Sequence, residues 1–219
     1  MKRNFQRAIL LLLCQGLLSS PAVVEAKENS GHIQQEDFLK ADRVKLHDEM
    51  RKLWTDQVAW TRSYIASSID GLPDQNKLLE RLLQNQVDIG NAIKPFYGED
   101  SGNQLAQLLS EHVLLIGKIL DAAKSNNQVE LKSHNTEWYQ NADDIANLLS
   151  GLNANWSLNV LRDMLHTHLQ LVTDILDARL NNDWDADFTA FDKGIDHIWQ
   201  VADVLSDGVI KQYPDQISE

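Results

Sequence analysis

An all-α fold is predicted: a six-helix antiparallel bundle built from three repeated α-hairpins. Apolar residues recur at three-and-four spacing, helix-breaking clusters separate the apolar stripes, and the stripes repeat at an offset of 56 residues.

The chain starts with Lys2, Arg3 and Arg7, followed by an apolar run over 8–18 that Cys14, Gln15 and Gly16 interrupt. Val24-Glu25-Ala26 then offers small residues where a signal peptidase reads, the layout of a cleavable secretory signal. The run is short for a bilayer span, and the polar stretch from Lys27 onward supplies no stop-transfer pattern. Leu13 stands before Cys14 where a lipoprotein has a small residue. The expected organisation is a signal peptide over 1–26, a flexible polar tail over 27–36, one helical-bundle domain over 37–213 and a tail over 214–219. Export to the periplasm or the medium is the expectation that follows.

Helices are expected over 37–70, 74–96, 102–125, 129–151, 156–181 and 185–212. The first buries Met50, Leu53, Trp54, Trp60, Tyr64 and Ile65; the third Leu105, Leu109, Ile116 and Ile119; the fifth Leu161, Leu165, Val172 and Ile175. Breakers fall at Gly71-Leu72-Pro73, over 98–102, at Ser125-Asn126-Asn127, over 151–155 and at Asn181-Asn182-Asp183. Pro73 and Pro95 sit where a helix starts or stops, and Asp74, Ser101 and Asn155 are the expected N-caps.

The repeat is read by alignment. His112-Val113-Leu114-Leu115-Ile116 maps onto His168-Leu169-Gln170-Leu171-Val172, and Ile145-Ala146-Asn147-Leu148-Leu149 onto Val201-Ala202-Asp203-Val204-Leu205. A fainter copy puts Gln57-Val58 in the His112-Val113 place and Asn85 in the Asn141 place. Short connections favour antiparallel neighbours in one bundle over an open superhelix.

Composition narrows the function. The net charge is −12, and removal of Lys2, Arg3, Arg7 and Glu25 makes it −14, which disfavours nucleic acid and anionic membrane as partners. Cys14 is the sole cysteine and leaves with the signal, so disulfides and thiolate chemistry are excluded from the mature domain.

The candidate site is a break in the apolar pattern. Gln57, His112 and His168 each stand mid-stripe on the first helix of a hairpin. With turns near 71, 127 and 183, antiparallel partners fall at Asn85, Asn141 and His197. Six polar side chains are thus expected at one level of an apolar core, where each needs a partner, because an unpaired buried polar group costs about 1–3 kcal/mol. One reading is an internal hydrogen-bond network that fixes helix register. The other is a binding site for a small ligand or a divalent metal such as zinc, with His112, His168 and His197 as ligands. Arg62, Trp60, Asp88 and Asp144 are the expected supporting groups, although an ordinary ion pair accounts for Arg62 as well. His47 and His134 lie outside the level and read as surface residues. The alternating acids of Asp183-Trp184-Asp185-Ala186-Asp187 lack the glycine and terminal glutamate of a calcium loop and read as a helix N-cap. Glu-x-x-His pairs, His-Glu-x-x-His, nucleophile elbows, phosphate loops and dinucleotide fingerprints are all missing.

Leu53-Trp54-Thr55-Asp56-Gln57-Val58-Ala59-Trp60-Thr61-Arg62 resembles a Leu-Trp-x-x-His-Val-x-Trp-Thr-Arg signature of an uncharacterised family of small bacterial helical proteins. Pro73-Asp74, the segment over 81–90, Tyr97-Gly98, Glu111-His112, the segment over 138–146 and Ile210-Lys211-Gln212-Tyr213 resemble further family segments, so the likeness spans 46–213. The resemblance implies no activity. Gln57 stands where the signature has histidine. If the family site uses three matched histidines, His112 and His168 remain, with His197 as the substitute. The leading expectation is non-enzymatic binding of a metal ion or small ligand. An interaction module for an extracytoplasmic protein, with a purely structural polar layer, is the alternative, and a metal-dependent hydrolase is third.

Overall fold

The structure, a computed structural model, describes residues 21–217, with side chains described from Asp42 onward. Among these residues there are five α-helices and no strand: α1 (Pro21–Asp70), α2 (Gln75–Lys124), α3 (Gln128–Leu152), α4 (Leu158–Leu180) and α5 (Trp184–Gln212). Two units divide the chain, residues 1–39 and residues 40–219. The helical bundle is the second. Most of the expected signal peptide lies outside the described residues, and α1 covers the segment over 27–36, which is helical where an aperiodic tail was expected. Its Glu, Gln and Lys residues are good helix formers, and it holds no proline.

Five helices replace the expected six because one residue does the work assigned to a loop over 98–102. Gly98 alone leaves the helical region, at φ 82° and ψ 169°, inside α2. That backbone conformation is open essentially to glycine only. The reversal is sharp. A Cβ added at Gly90 would meet the Gly102 carbonyl and come within 2.7 Å of Ala106 Cβ. Twelve residues of straight helix would hold Gly90 and Gly102 roughly 18 Å apart. The absence of side chains at both glycines lets the two arms of α2 touch. Pro95 therefore lies within α2 and Ser101 is no N-cap.

Three other turns share one hydrogen-bond pattern. Leu72 N–H donates to Ser67 O, Asn127 N–H to Ala122 O and Asp183 N–H to Ala178 O, each at 2.9 Å. Each turn holds one residue at positive φ: Gly71 (64°), Asn126 (54°) and Asn182 (55°). Glycine and asparagine are the residues that tolerate this left-handed cap. The side chains of Asn127 and Asp183 then accept from the N–H of Glu130 and Ala186, capping α3 and α5. Asp183 thus acts as the N-cap its sequence suggests. Asp74 occupies the N-cap of α2 but accepts from Ser67 Oγ instead. Ser157, not Asn155, precedes α4, because Asn155 bonds locally to Asn153.

α3 packs between the second arm of α2 and α4, and α4 packs on α5. Polar bridges join α1 to the first arm of α2 and to α5: Asn85 reaches Leu53 O, and Arg51 and Arg62 reach Asp203 and Asp187. The core contains Ile65, Leu82, Ile89, Leu120, Ile145 and Leu169, all inaccessible to solvent, each contributing about 1.5–3 kcal/mol by burial. Within the expected C-terminal tail, Ile217 is buried in the same core. No described helix is long and apolar enough to cross a membrane.

Candidate functional site

The six polar residues expected from the alignment sit in the interior. Gln57, Asn85, His112, Asn141 and His168 are buried and His197 is half-buried. Their pairing follows one rule. Asn85 Nδ2 donates to Leu53 O (3.1 Å), Asn141 Nδ2 to Leu108 O (3.0 Å) and His197 Nε2 to Met164 O (2.8 Å). Each carbonyl lies four residues before Gln57, His112 or His168, so its second lone pair serves the side chain of the neighbouring helix.

The pairs themselves differ. His112 Nδ1 meets Asn141 Oδ1 at 2.8 Å. Because the Asn141 amide nitrogen is committed to Leu108 O, the network assigns the proton to His112 Nδ1 and leaves Nε2 bare. Gln57 does not pair with Asn85: its Oε1 accepts from Gln86 Nε2 at 2.6 Å. His197 turns to the Met164 carbonyl instead of to His168. His168 is left with Nδ1 buried and without a hydrogen-bond partner. Its ring stacks on His112, with centroids 6.2 Å apart and planes 28° apart. On His112 also lies Trp138, at 5.2 Å.

Burial sets the charge of this group. The His112 pKa falls to about 4, as burial outweighs the bond to Asn141. His168 falls to about 3, through burial first and then the neighbouring His112 and His197. Both imidazoles are neutral at physiological pH. Neutral imidazole is also the metal-binding form, yet among the described residues no group of three or more His, Cys, Asp or Glu is arranged to hold a metal ion.

The expected supporting residues lie elsewhere. Arg62 grips Asp187 through two bonds of 2.9 and 2.7 Å, and Arg179 reaches the same carboxylate at 2.7 Å. Asp187 is fully buried, so this is no ordinary surface pair. Trp60 lies under Arg81, 5.2 Å from its ring centroid. Asp88 and Asp144 accept from Gln84 and Gln140 on their own helices. Their spacing on the helix turns them outward. His47 is held between Asp203 and Asp207, 3.3 Å from each, and His134 lies near Glu137.

Two buried polar residues escape a reading by repeat. Gln86 aligns with Ala142 and Ile198, and Asp187 with Leu131, so neither stands out as a recurring polar position. The signal that could have found Gln86 is its place beside Asn85 on the face turned to α1.

A cavity of about 490 Å³ opens between the second arm of α2, α3 and α4. Its floor includes the buried Ile116, Ile119, Val172, Leu176 and Trp138, and the exposed Lys132 and Asp177 line its mouth. Trp138 is 2% exposed, and its indole N–H has no acceptor. The same indole lines the cavity and packs against His112. The size and the mostly apolar lining suit a small organic molecule.

No protein-family model, curated protein or solved structure matches this chain.

Proposed function

We propose that this is an exported, non-enzymatic protein that binds a small, largely apolar ligand between its helices, with the polar layer as the rigid backing of the site. One observation carries the reading: Trp138 both lines a cavity of about 490 Å³ and packs against the His112 ring. The bundle is read as three α-hairpins, with α2 contributing one arm to each of the first two. The three matching turns and the three side-chain bonds to Leu53, Leu108 and Met164 carbonyls support this repeat. In this reading Asn85, Asn141 and His197 set the register of each hairpin, and the histidines do no chemistry.

Ligand-observed NMR with indole, p-cresol and cyclohexanol tests it. The full protein should bind at least one of the three, and Ala123→Phe, which fills the cavity from α2, should abolish binding while helicity persists. Binding that survives in Ala123→Phe, or no binding of any probe, overturns it. Metal binding at His112, His168 and His197 is the competing reading. Elemental analysis of untagged protein, beside His112→Ala and His168→Ala, separates the two: a stoichiometric ion lost in both variants favours the metal. Docking of an extracytoplasmic protein is a further reading, favoured by the aromatic pair Trp184 and Phe188, 46% and 55% exposed.

A further inference from the structure

The cavity carries more information than its volume. Its floor is apolar, whereas its mouth holds one charge of each sign, Lys132 on α3 and Asp177 on α4. Neither side chain belongs to an ion pair among those the described residues form. At the base lies the buried Trp138, whose indole N–H is sealed from solvent and finds no acceptor among the described residues.

The other junction between hairpins gives a comparison within the molecule. There the Tyr64 hydroxyl lies against Gly117, 2.9 Å from where a Cβ would stand. The repeat offsets carry Tyr64 onto Ile119 and Gly117 onto Thr173, and both of these line the cavity. The aromatic ring of Tyr64 thus reaches across one junction, whereas the matching position at the other is the shorter Ile119.

We infer that the cavity binds a small zwitterion with an apolar body, of the class of hydrophobic amino acids and short hydrophobic peptides. The apolar side chain occupies the floor beside Ile116, Ile119 and Leu176. The ligand's ammonium meets the Asp177 carboxylate, and the ligand's carboxylate meets the Lys132 ammonium. Charge-assisted bonds at the mouth supply the discrimination, and the floor supplies the affinity. Burial holds the Asp177 carboxyl above its usual range, with Asp174 adding to the shift, which an incoming cation relieves. This inference rests on the small-ligand reading of the cavity.

Isothermal titration of the full protein with L-phenylalanine, L-leucyl-L-phenylalanine and the tripeptide Leu-Phe-Leu tests it, each probe paired with its N-acetylated and C-amidated forms. At least one free zwitterion should bind, and blocking either terminus should weaken it about tenfold. Asp177→Asn should weaken the free probe about tenfold yet leave the N-acetylated form unchanged. Lys132→Gln should act likewise on the free and C-amidated forms. Which probe binds tightest distinguishes an amino acid from a peptide. If free and blocked forms bind equally, or if neither variant distinguishes them, the zwitterion assignment is overturned. Indole binding that Ala123→Phe abolishes would then leave the cavity as a site for neutral ligands. Failure of indole, p-cresol, cyclohexanol and every zwitterion overturns both readings.

Discussion

The His112 and His168 rings stack with centroids 6.2 Å apart, from two helices whose sequences align at an offset of 56 residues. Two imidazoles at that distance in an apolar core cannot readily both carry charge. Their folded pKa values, about 4 and about 3, lie below the ordinary 6.5. The unfolded chain therefore binds more protons over the interval between, so the stability they contribute is complete above pH 6.5 and is lost as pH falls below it. Denaturant titrations at pH 8 and pH 5 should differ by about 4 kcal/mol from this pair, about 2 from each. His168→Leu should halve that difference. At pH 8 it should cost less than about 1 kcal/mol, since its Nδ1 has no bond to lose.

Asn141 holds the His112 proton on Nδ1 and satisfies the Leu108 carbonyl. Asn141→Ala leaves both groups unpaired, and a loss of about 1–3 kcal/mol in urea unfolding is expected. Asn141→Asp places a carboxylate against the ring and should raise the His112 pKa, which an NMR titration reads directly.

Asp187 is the one fully buried acid in the described chain and carries two arginines. Asp187→Ala strands Arg62 and Arg179, partly buried, without their carboxylate. A cost of about 3–5 kcal/mol is expected, measured by chemical unfolding at pH 8 to keep the histidines neutral. Trp184, Phe188 and Phe191, stacked on these arginines, should lose their fixed environment, visible as reduced near-ultraviolet circular dichroism.

The glycines separate into two kinds. Gly71 adopts the left-handed conformation that Asn126 and Asn182 adopt in the matching turns. Gly71→Asn should therefore cost less than Gly71→Ala, which is expected to lose about 1–2 kcal/mol in thermal unfolding. Gly98 occupies a region closed to asparagine as well, so Gly98→Asn and Gly98→Ala should both cost about 1–3 kcal/mol.

Much of the candidate site is legible because a polar residue that recurs at a fixed offset on an apolar stripe must find a partner in the core each time it recurs. Gln57, His112 and His168 emerge in this way, and antiparallel counting from the turns locates Asn85, Asn141 and His197. What fails is rotation about the helix axis. Counting from a turn gives the level of a residue but not its azimuth, so Asp88 and Asp144, one turn along from the layer, are expected to support it although they bond to Gln84 and Gln140 on their own helices. For the same reason Gln57 is matched to Asn85 when Gln86, one residue on, donates to it. The helix count fails where one glycine replaces a loop, since a reversal at Gly98 leaves a helical hydrogen-bond pattern on both sides. Asp187 stays hidden because its partners, Arg62 and Arg179, lie far away in sequence or on another helix, and its aligned position is Leu131.

Two adjacent histidines, His112 and His168, are buried and uncharged, with Trp138 against His112. Proton NMR of the imidazole Cε1–H resonances over pH 8 to 4, assigned with His112→Asn and His168→Leu, measures this state. Two histidines whose shifts stay constant down to about pH 5, and which exchange slowly with solvent, are the predicted result. Titration of both near 6.5, the value of a free imidazole, would show them solvated and would remove the rigid wall on which the binding site depends.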